Sequence, residues 1–272
     1  MFKWKASNYI SRISYMARVQ QTLCNAVGLV ALCAMTGSAS ASTIVLSDGT
    51  FAPANYSTAF TYLQNPGSDS AVWSQCASCG NPNQALQLII NETTGGGTFN
   101  STEVLTGILN TTFVYNPSTQ GAITQISASV DKDFTVNVNL GFGNTFRPMI
   151  EQDGNFYVAA ISGPVLNGPG TTGFDTISNG SLVATSFQEV NPVTGVIGTP
   201  NPNFAGDPMT FGIAQLLAAS AISGTTATLA YDNLNIMLTT ASPEPSTLWT
   251  LFAGVLALAP GTRKRRRTCR PM

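Results

Sequence analysis

Two pairs of side chains in this 272-residue chain are spaced for chemistry: Cys76 with Cys79, and Glu151 with Asp153. A Cys-x-x-Cys pair can supply half of a four-ligand zinc site, a redox couple, or a disulfide. The chain contains no histidine, so zinc would lack its usual imidazole partners, and Ser-His-Asp and Cys-His catalysis are excluded. No βαβ pattern surrounds the cysteines, so a disulfide stapling the Trp73 loop is the expected state. Glu151 and Asp153 stand at i and i+2, where one strand face would carry both carboxyls, the arrangement a retaining glycosidase needs at about 5 Å. The favoured reading is a strand end entering a glycine turn with solvated charges, and no catalytic residue is assigned. Asp131, Asp133 and Asp232 are weak candidate oxygen ligands for calcium, with backbone-bonded carboxylates the favoured alternative. No other cofactor is expected. Trp73, Tyr157 and Tyr115 offer rings that stack on sugars or fill a core, and Trp73, Tyr157 and Asp232 form the candidate ligand set.

Charge sets the next limits. Only 9% of residues are charged, and the basic ones crowd the two ends. Between residues 42 and 242 Lys132 and Arg147 are the only cations, against twelve Asp and Glu, a net of −10. Nucleic-acid binding needs Lys and Arg on the phosphates, so it is excluded as a role for this body.

Both ends read as targeting segments. Residues 1–21 are positive, residues 23–35 apolar, and Ala39-Ser40-Ala41 fits the small-x-small pattern of signal-peptidase cleavage, leaving Ser42 as the mature start. Met16 is an alternative initiator. At the other end Pro243-Glu244-Pro245 precedes an apolar run at 248–259 and the basic cluster Arg263, Lys264, Arg265, Arg266, Arg267. That order gives an extended spacer, a membrane helix and a cytoplasmic stop. The tripartite tail resembles the PEP-CTERM sorting signal of Gram-negative bacteria. The resemblance implies that a membrane cysteine protease, an exosortase, recognises the tail and cleaves near Pro-Glu-Pro.

Residues 42–240 alternate at period two between Gly, Pro, Asn and Ser clusters. The spacing predicts about ten strands and an all-β, two-sheet antiparallel sandwich, flanked by an N-terminal signal helix and a C-terminal transmembrane helix. Strands are expected at 126–130 and 134–140, joined by a hairpin turn at Asp131-Lys132-Asp133. Residues 213–220 are the one helical candidate, with a strand as the alternative. Three domains follow: signal peptide 1–41, sandwich 42–240 and sorting segment 241–272. The sequons at Asn55, Asn91, Asn100, Asn110 and Asn179 are assigned no glycans.

Asp48-Gly49-Thr50-Phe51, the Gln152-Asp153-Gly154-Asn155 turn and Tyr231-Asp232-Asn233-Leu234 together resemble the concanavalin A-like jelly roll. That resemblance implies a curved sheet able to cradle a sugar chain. Glu151-Gln152-Asp153 is similar to the Glu-x-Asp-x-x-Glu strand of laminarinase-like jelly-roll hydrolases, but Phe156 occupies the place of the third carboxylate. The expected function is a non-enzymatic, exported envelope or extracellular-matrix protein. Its expected partners are signal peptidase, exosortase, the membrane and exopolysaccharide. A carbohydrate-binding module, or less so a jelly-roll glycosidase, is the alternative.

Overall fold

A computed structural model describes residues 41–64, 66–92, 100–136, 142–159, 173–221 and 225–241. The signal segment to residue 40 and the tail from 242, with Pro243, Glu244, Pro245 and the Arg263–Arg267 cluster, lie outside the described residues. No helix among the described residues is long and apolar enough to cross a membrane.

The described residues form two six-stranded sheets in which every ladder is antiparallel. Sheet A runs β3 (Ser70–Gly80), β4 (Asn83–Glu92), β12 (Thr225–Thr240), β6 (Ile123–Val136) and β9 (Asp175–Leu182). Its sixth strand, β1 (Ser42–Asp48), pairs with the second half of β12, where β4 has ended. Sheet B runs β10 (Phe187–Val190), β8 (Asn155–Ala159), β7 (Phe142–Gln152), β11 (Met209–Ala221), β5 (Asn100–Tyr115) and β2 (Tyr56–Leu63).

The inner faces of both sheets meet in one apolar core. Leu86, Leu88 and Ile90 from β4, Leu229, Tyr231 and Ile236 from β12, and Val104, Ile150 and Phe211 from sheet B are buried within it. Period-two alternation therefore produces the sandwich as expected.

One expected element differs and one open alternative is settled. Asp131-Lys132-Asp133 is no turn, because β6 runs unbroken from Ile123 to Val136 with Lys132 pointing into the core between Val130 and Phe134. A charged triplet resembles a turn only if its middle residue is solvated; here the core accommodates the amine. Residues 213–220 take the strand alternative and continue β11. Ile213, Gln215 and Leu217 face inward while Ala214 and Leu216 face the outer layer. A central strand buried on both faces loses its alternation and reads as an apolar run.

Asp48 ties the two sheets together at the end of β1. Its Oδ1 accepts from Thr50 N (2.7 Å), Thr50 Oγ1 (3.0 Å) and Phe51 N (2.9 Å), a closed Asx turn. Its Oδ2 accepts from Tyr56 Oη (3.1 Å) of β2 and Asn110 Nδ2 (3.3 Å) of β5, both in sheet B. The turn also holds Phe51 fully buried at a φ of 48°. Burial works to raise the Asp48 pKa, but these hydrogen bonds outweigh it and leave the carboxyl below its usual value. A depressed carboxylate stabilises the fold above its unfolded pKa and loses that contribution as pH falls through the folded value. Asp48→Ala should therefore lower unfolding free energy by about 1–3 kcal/mol at neutral pH. Asp48→Asn should flatten the loss of stability below about pH 4, measured by urea titrations across acid pH.

Candidate functional site

The sequence-nominated residues do not converge. Trp73 lies in β3, not in a loop, and its indole faces the core. Its ring lies 5.7 Å from that of Tyr231, and its Nε1 donates to Thr106 Oγ1 at 2.9 Å across the sandwich. Tyr157 is 8% exposed in the same core, its hydroxyl pKa raised by burial and then by the charges of Glu189 and Asp153. Both rings are spent on packing.

Asp232 has the sequence parity of Leu234, Ile236 and Leu238, which by simple alternation points it inward. A bulge between Asp232 and Asn235, with Asn233 at a φ of 51°, reverses that parity. Asp232 pairs with Asp131 on the outer face of sheet A, yet it is 1% exposed. Asn81 N of the turn between β3 and β4 donates to Oδ2 at 2.6 Å, and Asn233 N of its own strand donates to Oδ1 at 2.7 Å. Asp131 accepts from Thr176 Oγ1 (2.5 Å) and Asn233 Nδ2 (2.8 Å), while Asp133 accepts from Gly173 N (3.4 Å). Among the described residues no group of three acidic or thiol side chains is placed to hold a metal.

Glu151 and Asp153 do not share a strand face. Asp153 and Gly154 have φ of 54° and 78° and make the two-residue turn between β7 and β8, with Gln152 opposite Asn155. Glu151 Oε1 accepts from Gly154 N at 2.8 Å and so closes the turn. The Asp153 pKa is raised by partial dehydration, then by Asp207 and Glu151. Cys76 and Cys79 are disulfide-bonded within β3, at the irregularity where its pairing with β4 shifts.

The sequence pattern gives no sign of the outer face of sheet B. Phe60, Leu105, Met149, Val158, Val190 and Ala214 form a second buried apolar layer there. Phe60 of β2 and Phe156 of β8 have ring centroids 5.3 Å apart. Those strands are four positions apart, about 19 Å along a flat sheet, so the sheet curls strongly and this face is concave. The curved sheet is therefore present, but its hollow is filled by its own side chains.

A strap completes the filling. After β10 the chain turns at residues 191–197, where Asn191 Oδ1 accepts from Val193 N and Thr194 N. Ile197 then packs on the outer layer. Gly195, at a φ of 67°, lies so close to Tyr62 of β2 that a Cβ would fall 2.3 Å from the ring. Beside the strap opens a cleft of about 390 Å³ lined by residues including Asn155, Phe156, Glu189, Asn191, Pro192 and Thr194. A mixed lining of amides, a carboxylate-bearing residue and apolar carbon suits a neutral polyhydroxylated ligand. A smaller cavity of about 110 Å³ lies between Phe51, Tyr56 and Trp73.

No family model and no curated protein matches the chain. Among solved structures it is similar to an exo-β-agarase (15% identity, TM-score 0.31), covering 73% of this chain and 26% of that one. It is also similar to the CBM22-1 xylan-binding domain from Paenibacillus barcinonensis Xyn10C (12% identity, TM-score 0.27), covering 75% of this chain and 99% of that domain. At this level the similarities say nothing of what this chain binds.

The strap should be sensitive at one atom. Gly195→Ala adds a Cβ into Tyr62 and demands a left-handed backbone from alanine, at a cost of about 1–2 kcal/mol or more. The variant should bind a hydrophobic dye through its uncovered outer layer while keeping its β-sheet circular dichroism.

Proposed function

We propose that this chain is an exported jelly-roll protein of the Gram-negative envelope or extracellular matrix, sorted through its carboxyl-terminal tail. The observation that carries the reading is the order of segments in the tail sequence: Pro243-Glu244-Pro245, the apolar run at 248–259 and five consecutive basic residues from Arg263. Pro243 and Pro245 keep the segment extended and the arginines hold the helix end in the cytoplasm, which puts Glu244 on the exported side.

The fold supports this reading through its ends. Strand β1 opens at Ser42 and β12 closes at Thr240, and these two residues are partners in the same ladder. Thr240 Oγ1 donates to Ser42 O at 3.3 Å, and Ala241 N to Ala122 O at 2.8 Å. Ser42 and Ala241 thus lie at one corner of the sandwich, which suits a body hung from a membrane by a single point. The turn at Asp153-Gly154 and the adjoining cleft belong to that same end, because Gln152 pairs with Met209 and Met209 with Tyr115, just before the short link into β6. Removal of the tail would free the end that carries the cleft.

The body acts in this reading as a non-enzymatic structural domain, with glycan contact confined to the cleft beside the strap. Its net charge disfavours acidic polysaccharides and leaves neutral ones as the ligand class.

In cells with an exosortase, mass spectrometry of the mature protein should find its carboxyl end near Pro243–Pro245. Pro243→Ala with Glu244→Ala should leave a folded, exported protein that stays membrane-bound at full length. An intact end at Met272 throughout the mature population would contradict the sorting reading.

A further inference from the structure

Lys132 is one of the two cations of the body, and it is 1% exposed between the sheets. Its Nζ lies 3.0 Å from Oε1 of Gln215, a side chain that is itself fully buried on the inner face of sheet B. Tyr231 Oη donates to the same oxygen at 2.5 Å. Gln215 Nε2 donates to Leu216 O at 2.6 Å, which fixes the carboxamide with its oxygen toward both donors. The rings of Phe134 and Tyr231 flank the amine at 6.0 and 5.6 Å. An amine, a carboxamide and a hydroxyl are thus held together in a site closed to bulk water.

We infer that Lys132 and Gln215 are joined in the mature protein by an intramolecular isopeptide bond that cross-links the two sheets. The Nζ lone pair attacks Cδ of Gln215, and the Nζ–Cδ bond forms. Tyr231 donates its hydrogen bond to Oε1 as negative charge develops there, the role of an oxyanion-hole donor. The proton shed by Nζ passes to Nε2, the Cδ–Nε2 bond breaks, and ammonia leaves. Atoms and electrons balance with no oxidant, reductant or metal.

Two physical features favour the step. The fold converts an encounter of amine and amide into a contact within one core, where effective molarities are very large. Burial pushes the Lys132 pKa down to about 7, so a large fraction of the amine is neutral and nucleophilic near neutral pH. The product also replaces a buried amine with an amide, the less costly group to bury.

The test is the intact mass of the wild-type protein, reduced and denatured after folding. A bonded protein is lighter than its sequence by one ammonia, about 17 Da, and trypsin can no longer cut after an acylated Lys132. Peptides carrying residues 132 and 215 should then run as one branched species. Lys132→Met and Gln215→Met should each restore the unmodified mass, and Tyr231→Phe should slow the loss at least tenfold in freshly folded protein. Folded wild-type protein at full sequence mass, cut normally after Lys132, would overturn the inference without reference to any variant.

Discussion

Twelve carboxylates and two cationic side chains share the body between residues 42 and 242, and that imbalance governs how the fold is built. Acids without cationic partners must be met by backbone amides, hydroxyls and carboxamides, and the described residues do this repeatedly. Asp48 gathers the amides of Thr50 and Phe51, Asp232 those of Asn81 and Asn233, and Glu151 that of Gly154. Each of these carboxylates also closes a turn or caps a strand end, so the loops are pinned by the same contacts that satisfy the charge. Few surface ion pairs would add much in any case, since exposed pairs contribute about 0–1 kcal/mol.

The same scarcity makes the positions of the two cations informative. Arg147 is half-buried on the outer face of sheet B, its pKa lowered by burial and supported by the charge of Glu103. Lys132 is deeper still and meets a carboxamide and a phenol in place of a surface acid. With Lys132 fully buried and Arg147 half-buried, the exterior of the described residues carries an excess of acid. The inner polar contacts, with Trp73 to Thr106 among them, cross from sheet to sheet and so set how the two layers register.

Much of the sandwich was legible because one-sided strands advertise themselves: β4 and the later half of β12 alternate as period two requires. The misreadings share a physical origin, a residue whose surroundings are set by tertiary contacts. Lys132 looked like a turn because the sequence does not reveal Gln215 opposite it. The stretch 213–220 reads equally as helix or strand because burial on both faces erases its alternation. The face of Asp232 does not follow from alternation because the bulge at Asn233 shifts parity in mid-strand, and nothing in Tyr-Asp-Asn-Leu announces a bulge. The hollow of sheet B leaves no mark in the sequence for a different reason. Its closure depends on curvature, and on the strap meeting Tyr62, both products of strand pairing far apart in sequence. The resemblance to sugar-binding jelly rolls implied an open cradle; this chain fills it.

The resulting picture is an acidic sandwich whose first and last strands end at one corner, beside a cleft, with a tail that we propose is inserted in the membrane and then removed. The most direct measurement is the partition of the protein between membrane and medium in otherwise identical cells with and without an active exosortase. The account predicts a soluble or matrix-bound body in the first and a membrane-held one in the second. The same partition in both would contradict it.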